Sequence, residues 1–194
     1  PDYALFRLTS ADQTTYVPNR ASSINPDHLR YFRFVGRIIG KGIYDGRLLD
    51  CYFARHVYKY LLGLPVDLKD LEMVEPDVYK SLTWILENNL DEAGLELTFS
   101  LDAEEFGEQK LVELLPGGQE MAVDEGNKRE YVRLVCEYRL VGDCGPQLEA
   151  LKAGLLEICP APLLAIFTDA ELEMIISGLP TIDLDDWRAH TDYH

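Results

Sequence analysis

The sequence predicts an α+β fold, a mainly helical lobe carrying a small inserted α/β unit. Both ends of the chain repeat apolar residues at three- and four-residue intervals, the spacing of amphipathic helices. Residues 95–102, in contrast, alternate strictly: Leu95, Leu97, Phe99 and Leu101 fall on one face, Glu96, Thr98, Ser100 and Asp102 on the other. The charge changes where the pattern does. Residues 1–66 carry nine basic and five acidic side chains, residues 67–138 six and nineteen, and residues 139–194 three and ten, within a total of −16. The expected division is a large helical part from 1–66 and 139–194, and a small α/β part from 67–138. At 194 residues and 47% hydrophobic, the chain can build one domain or two small ones sharing an interface.

In order along the chain, YALFRL and TTYV read as two short strands around a polar turn, Thr9 to Gln13. Asn25-Pro26-Asp27 supplies a cap, a first-turn proline and an acid for a helix carrying Leu29, Phe32, Phe34, Val35, Ile38, Ile39 and Ile43. That is more than one apolar stripe, so this helix is expected to be central, buried on most sides, and to end near Gly46. A second helix is expected over 50–62, closed by Gly63 and Pro65. Glu75-Pro76-Asp77 opens another, through about Asn88. LVELL and EMAV flank Pro116-Gly117-Gly118 and read as a hairpin. Asp124 is expected to cap a helix with Tyr131, Leu134, Val135 and Tyr138 on one face. Leu148, Leu151, Leu155 and Ile158 form a further stripe ended by Pro160. Thr168 and Glu171 have capping-box spacing for a helix stopping at Gly178, and Asp183 is placed to cap a last one through Trp187.

Several function classes are disfavoured. No run of about 18 apolar residues is present, as a membrane-crossing helix requires. The opening PDYALFRLTS is not a signal peptide, and because it starts within a strand the chain is expected to be cut from something longer. Cys51, Cys136, Cys144 and Cys159 lie too far apart for a zinc knuckle, and no N-x-S/T acceptor occurs, which fits a reduced cytoplasmic or nuclear protein. The acidic middle opposes nucleic acid and anionic membranes and suits a basic protein partner; a merely solvated surface explains it equally well.

Catalytic motifs fail on inspection. Gly36 to Gly42 looks like a phosphate-binding loop but is one residue short and ends in Gly rather than Ser or Thr. It also falls within a predicted helix, where Gly36 and Gly40 are better read as letting another helix approach. His190 and His194 have zinc-ligand spacing without the accompanying Glu. Asp183, Asp185 and Asp186 are half a calcium loop, better read as capping and solvation. Cys51 and His56 are not placed as a nucleophile pair, and only Cys144 occupies a position that could lower its pKa. No metal or cofactor is expected.

The runs NPDHLRYFRFVGRIIGKGIYDGRLLDCYF, SLTWILENN, LTFSLDAEEFGE, NKREYVRLVCEYRL and IFTDAELEMIISGLPTIDLDDWRAHTDY, with the opening PDYALF, resemble the N-terminal lobe of HECT ubiquitin ligases, in order and nearly end to end. TYVPN and GLPTIDLDDW look most like the giant fungal and animal members of the Mule type. The resemblance implies a bilobal ligase in which ubiquitin passes from a conjugating enzyme's thioester to a ligase cysteine and then to substrate lysines, with substrates chosen outside this chain. That cysteine lies in a His-Thr-Cys-Phe-Asn-type motif of the other lobe; LDCYF, LVCEY, GDCGP and EICPA do not match it. The conjugating-enzyme groove it implies maps to Val78, Ser81, Leu82, Ile85, Asn88, Leu95, Leu97, Tyr131 and Val135. Val78, Leu82 and Ile85 form one stripe while Tyr79 and Leu86 can serve the core, although all could be core. Asn88 and Val135 stand where some members carry aromatics. A second surface, holding ubiquitin non-covalently, maps to Tyr3 and Phe106. The rival reading is a non-catalytic scaffold that binds a conjugating enzyme or ubiquitin.

Overall fold

The computed structural model describes residues 4–9, 14–105, 108–179 and 184–191. Helices dominate these residues, and the strands form two antiparallel pairs, so the α+β expectation holds. Strand β1 (Phe6–Leu8) pairs with β2 (Tyr16–Pro18), Phe6 opposite Pro18. Tyr16 is held on its other side by 52–54, its N–H donating to Tyr52 O at 2.7 Å and its O accepting from Ala54 N at 2.9 Å.

Helix α1 (His28–Asp45) begins after the expected cap, because the Asn25 side chain is used in a local turn, accepting from Asp27 N at 3.0 Å. It ends at Gly46 in the left-handed conformation, φ 62°. Helix α2 (Arg55–Leu62) starts later than predicted. The residues before it are extended, since Leu49 N donates to Ile176 O and Ala54 N to Tyr16 O. Helix α3 (Pro76–Glu87) follows its proline signal, and α4 (Leu90–Ala93) is one turn capped by Asn89.

Strand β3 (Ser100–Glu105) pairs with β4 (Glu108–Glu113), Ser100 opposite Glu113. The predicted hairpin between LVELL and EMAV is not formed. Both runs flank the alternating segment instead: Phe99 N donates to Met121 O at 3.0 Å, and Leu114 N donates to Phe99 O at 2.9 Å. Helix α5 (Lys128–Leu140) starts directly after the turn that Asp124 organises by accepting from Gly126 N and Asn127 N. Helix α6 (Gly145–Leu156) and the unforeseen short α7 (Ala161–Leu164) lead to α8 (Asp169–Ser177), whose Thr168/Glu171 capping box forms as expected. Helix α9 (Leu184–Ala189) is present; Asp183, its expected cap, lies outside the described residues.

The core has two parts. One gathers Phe32, Ile39, Val57, Leu148, Leu151, Leu155 and Leu172, from α1, α2, α6 and α8. The other gathers Leu71, Leu82, Phe99, Tyr131, Val135 and Leu140, from the turn before α3, α3 itself, the strand segment and α5. The expectation that α1 is buried on most sides is overturned. Phe32, Gly36, Ile39 and Gly40 face α6, whereas Phe34 and Ile38 are 55% and 43% exposed. One neighbouring helix covers only one face of a cylinder, and the second apolar stripe is left facing outward.

Contact between α1 and α6 is backbone on backbone. A Cβ built at Gly36 would lie 2.0 Å from Leu151 O, and one at Gly154 would lie 1.9 Å from Arg33 O. The glycines of the phosphate-loop-like run are therefore packing residues inside a helix. Near-surface ion pairs from Arg33 and Arg37 to Glu157 close over the crossing. A buried ammonium makes a second tie: Lys59 on α2 reaches Asp67 at 2.9 Å and Asp70 at 2.6 Å, just before α3. Gly154→Ala is expected to cost about 3 kcal/mol or more, because neither backbone can yield without opening the crossing. Gly94→Ala, at φ 63° with open space around it, should cost only about 1–2 kcal/mol. Urea unfolding checks this, and equal losses at the two positions would show that the crossing is not tight.

Candidate functional site

The apolar cleft nearest the implied groove lies between α3 and the extended residues 95–97. It encloses about 380 Å³ and is lined by Lys80, Ser81, Trp84, Ile85, Leu95 and Leu97. Its two walls are held independently. Residues 97–99 are fixed on one side by Val123 N donating to Leu97 O at 2.8 Å, and on the other by the Leu114–Phe99 bond. The end of α3 is fixed by Lys128, whose Nζ donates to Asn88 O at 2.8 Å and pairs with Glu125 at 2.8 Å. Glu125 in turn accepts from Leu90 N at 2.7 Å, and the Lys128 ammonium and this backbone bond hold its carboxyl below the usual range.

Of the nine implied groove residues, Ser81, Ile85, Leu95 and Leu97 line this cleft. Leu82, Tyr131 and Val135 are its floor, not its surface: all are buried, and Tyr131 meets Phe99 edge to face at 5.7 Å. Val78 is half-buried against the same core, and Asn88 returns its side-chain N–H to Trp84 O at 2.8 Å. Of the stripe Val78, Leu82 and Ile85, Ile85 lines the cleft, while Leu82 is buried and Val78 half-buried. Trp84, 43% exposed, is the large apolar side chain that the helix offers to solvent. Tryptophan next to a helix stripe reads as core by pattern, so periodicity gave no means of choosing it; its lying one step from Leu95 across the cleft is a tertiary fact. Tyr3, Phe106 and His194 lie outside the described residues.

A family model described as HECT-domain (ubiquitin-transferase) matches residues 1–194. The chain belongs to the HECT family. It is 52% identical over 194 residues to the E3 ubiquitin-protein ligase TOM1-like of Neurospora crassa, covering 100% of this chain and 5% of that protein. It is 50% identical to the E3 ubiquitin-protein ligase ptr1 of Schizosaccharomyces pombe (100% and 6%) and 48% identical to the E3 ubiquitin-protein ligase HUWE1 of Mus musculus (100% and 4%). The HECT chain thus spans about one-twentieth of the length of these relatives.

Within this HECT segment the cysteines are poorly suited to nucleophilic chemistry. Burial pushes Cys136 up to about 12 and Cys144 up to about 11, and raises Cys51 and Cys159 as well. Cys144, the one expected exception, precedes α6, but its thiol is enclosed and donates to Pro18 O at 3.4 Å, so desolvation outweighs the helix end. Among the described residues no group of three or more His, Cys, Asp or Glu is placed to hold a metal, and no helix is long and apolar enough to cross a membrane.

His56 is buried and held neutral, its pKa lowered to about 3 by burial and by the charges of Arg7 and Lys59. The unfolded chain therefore takes up a proton near pH 6.5 that the folded chain refuses until about pH 3. Stability is expected to fall as pH drops below 6.5, by about 2 kcal/mol at pH 5. Denaturant unfolding at pH 7.5 and 5 checks the sign, and His56→Gln should flatten that dependence; an unchanged slope in the variant would assign it to other groups.

Proposed function

We propose that this chain is the docking part of a ubiquitin ligase, receiving a ubiquitin-conjugating enzyme in the cleft between α3 and residues 95–97. Ubiquitin would then pass to a ligase cysteine outside the chain and on to substrate lysines. The observation that carries this reading is an open apolar cleft on a rigid floor, at the positions where the family resemblance implies the groove. Trp84, Ile85, Leu95 and Leu97 supply the apolar walls, suited to one protruding aromatic side chain of the partner. Asp91, Glu92, Glu96 and Asp102 are exposed near this region and complement a basic partner surface, raising the association rate more than the affinity.

Residues 67–138 form the small α/β docking subdomain, and 1–66 with 139–194 form the larger helical one; the two-part core supports this division. Tyr3 and Phe106 form a second surface that holds ubiquitin non-covalently. A cytoplasmic or nuclear setting follows from four unpaired cysteines and from the partners this reading requires. The rival reading is a scaffold that only recruits a conjugating enzyme; the raised pKa values of the four thiols fit either reading, because the transferase reading also places its cysteine outside the chain. Reading the parent sequence beyond His194 separates them, because a His-Thr-Cys-Phe-Asn motif there supports the transferase and its absence the scaffold.

Trp84→Ala is expected to weaken binding to its conjugating enzyme about tenfold or more while leaving unfolding unchanged. Leu82→Asp should instead unfold the small core, since a carboxylate would be buried without a partner. Calorimetric titration against a panel of conjugating enzymes, with salt varied, reads both effects. Full affinity in Trp84→Ala would move the groove elsewhere, and a salt-independent affinity would remove the electrostatic component. Ubiquitin titrated onto wild type and Phe106→Ala tests the second surface in the same way.

A further inference from the structure

Two cavities lie between residues 67–138 and the helical half of the molecule. The larger, about 770 Å³, has residues 20–29 and 142–147 on one side and Ala103, Lys110 and Val112 of the strand pair on the other. The second, about 440 Å³, separates Tyr60, Leu64 and Pro65 from Glu113, Leu114 and Leu134. Apolar contact across the junction is correspondingly narrow. Among the described residues, Val17, Ala54 and Leu140 are the buried side chains that 1–66 and 139–194 contribute to the core of 67–138. Apolar burial is non-directional, so a seam of this width holds the halves together without fixing the angle between them.

An ion pair crosses the same junction, and it is directional. Lys59 on α2 reaches Asp67 at 2.9 Å and Asp70 at 2.6 Å. Lys59 and Asp70 are both buried. Asp70 belongs to a firmly held piece of the small half: its Oδ2 also accepts from Asp67 N at 2.9 Å, closing the turn that leads into α3. Its neighbour Leu71 is fully buried in the same core as Leu82 of α3. A displacement of Asp70 therefore carries α3, one wall of the cleft, with it. The other oxygen, Oδ1, lies 3.9 Å from Arg55 Nε, too far for a hydrogen bond, and Arg55 is paired with Asp169 on α8. The carboxylate thus relies on Lys59. A buried ammonium and carboxylate drawn apart would lack both partner and water, so rotation of one half on the other meets a steep electrostatic cost.

We propose that Lys59 is a positioning residue: clasped by Asp67 and Asp70, it sets the angle at which residues 67–138 are carried on the helical half, and so the direction in which the α3 cleft faces. The angle is a property of this chain whatever the cleft receives. Its importance for transfer rests on the docking reading above, since a ligase must bring a bound thioester into line with its own cysteine.

Backbone N–H residual dipolar couplings, measured by NMR on this chain in a stretched gel, report the orientation of each half separately. Wild type should fit one alignment tensor for both halves, at the angle of the structure. Lys59→Met alone leaves a buried carboxylate unpaired, so the deciding variant is Lys59→Met with Asp70→Asn, which removes both charges and keeps an acceptor for Asp67 N. Each half of that variant should still fit its own couplings, while the two halves lose their common tensor. If the double variant does not fold, Asp67→Asn decides. The Asp67 side chain is 62% exposed, and asparagine keeps the bond from Lys69 N while Lys59 loses one of its two charged partners. A smaller divergence of the two tensors is expected there. A wild type that already needs two tensors, or a deciding variant that keeps one tensor at the wild-type angle, would overturn the proposal. No conjugating enzyme enters this measurement, so its failure and the failure of the docking reading, read by Trp84→Ala, are told apart.

Discussion

Helices α1 and α6 touch through their backbones, and the larger part of the molecule is arranged around that contact. Gly36 lies against the Leu151 carbonyl and Gly154 against the Arg33 carbonyl, each with no room for a methyl group. Gly40 extends the contact, taking a hydrogen bond from Cys159 Sγ on its carbonyl. At this separation Phe32 and Ile39 interdigitate with Leu148, Leu151 and Leu155, and all five are essentially fully buried. A wider crossing would leave gaps that side chains of this size could not fill, and each would forfeit dispersion contacts along its length. Helix α2 then packs on the pair, with Lys152 Nζ donating to Tyr60 O at 3.1 Å, and α8 follows through the Leu49–Ile176 backbone bond.

The other half of the core has its own organising residue. Phe99 uses its N–H toward Met121 and its carbonyl toward Leu114, so two neighbouring chain segments are registered by one residue. Its ring meets Tyr131, and the Gly118 turn lies so close to its carbonyl that a Cβ there would sit 2.3 Å away. This fixes the strand relative to α5, while Lys128 and Glu125 fix the end of α3 relative to the start of α5. The cleft between Trp84 and Leu95 is thus bounded by elements that share α5 as a common reference. Its shape depends little on the long side chains at its rim, which would suit the proposed docking of a partner with small rearrangement.

Much of this was legible in the residues, within limits that particular elements make clear. Thr168 and Glu171 predicted a capping box because both partners are local, and local geometry does not depend on the rest of the fold. Pro116-Gly117-Gly118 likewise marked a turn, but a turn does not say that its two flanks pair with each other. Here both flanks pair with a third segment, the alternating one, and only its central position reveals that. Asn25 misled by a few residues because its side chain bonds Asp27 N in a turn before the helix. At α3 the apolar stripe Val78, Leu82, Ile85 was real, yet periodicity marks a face without saying what covers it. The floor residues Leu82, Tyr131 and Val135 belong to the implied groove positions and are all enclosed, so the part of the cleft open to a partner falls to Ser81, Trp84, Leu95 and Leu97.

The thiols bear on what this part of a HECT protein can contribute chemically. Thiol exchange requires a thiolate at working pH, and a thiolate requires solvent, a nearby cation or a favourable dipole. Each of the four cysteines is instead desolvated, and for Cys51, Cys136 and Cys144 nearby aspartates push in the same direction. Even Cys144, with Arg7 and Arg20 lowering its pKa, is carried well above neutrality by burial. A surface that contains no available thiolate can still accelerate transfer between two others by holding them at the right distance, because orientation replaces a bimolecular encounter with a unimolecular step. The close crossing of α1 and α6 and the doubly bonded Phe99 are the kind of rigid support that such positioning demands. In this family member, rigidity and a cleft of fixed shape are what the 194 residues would bring to the transfer proposed above.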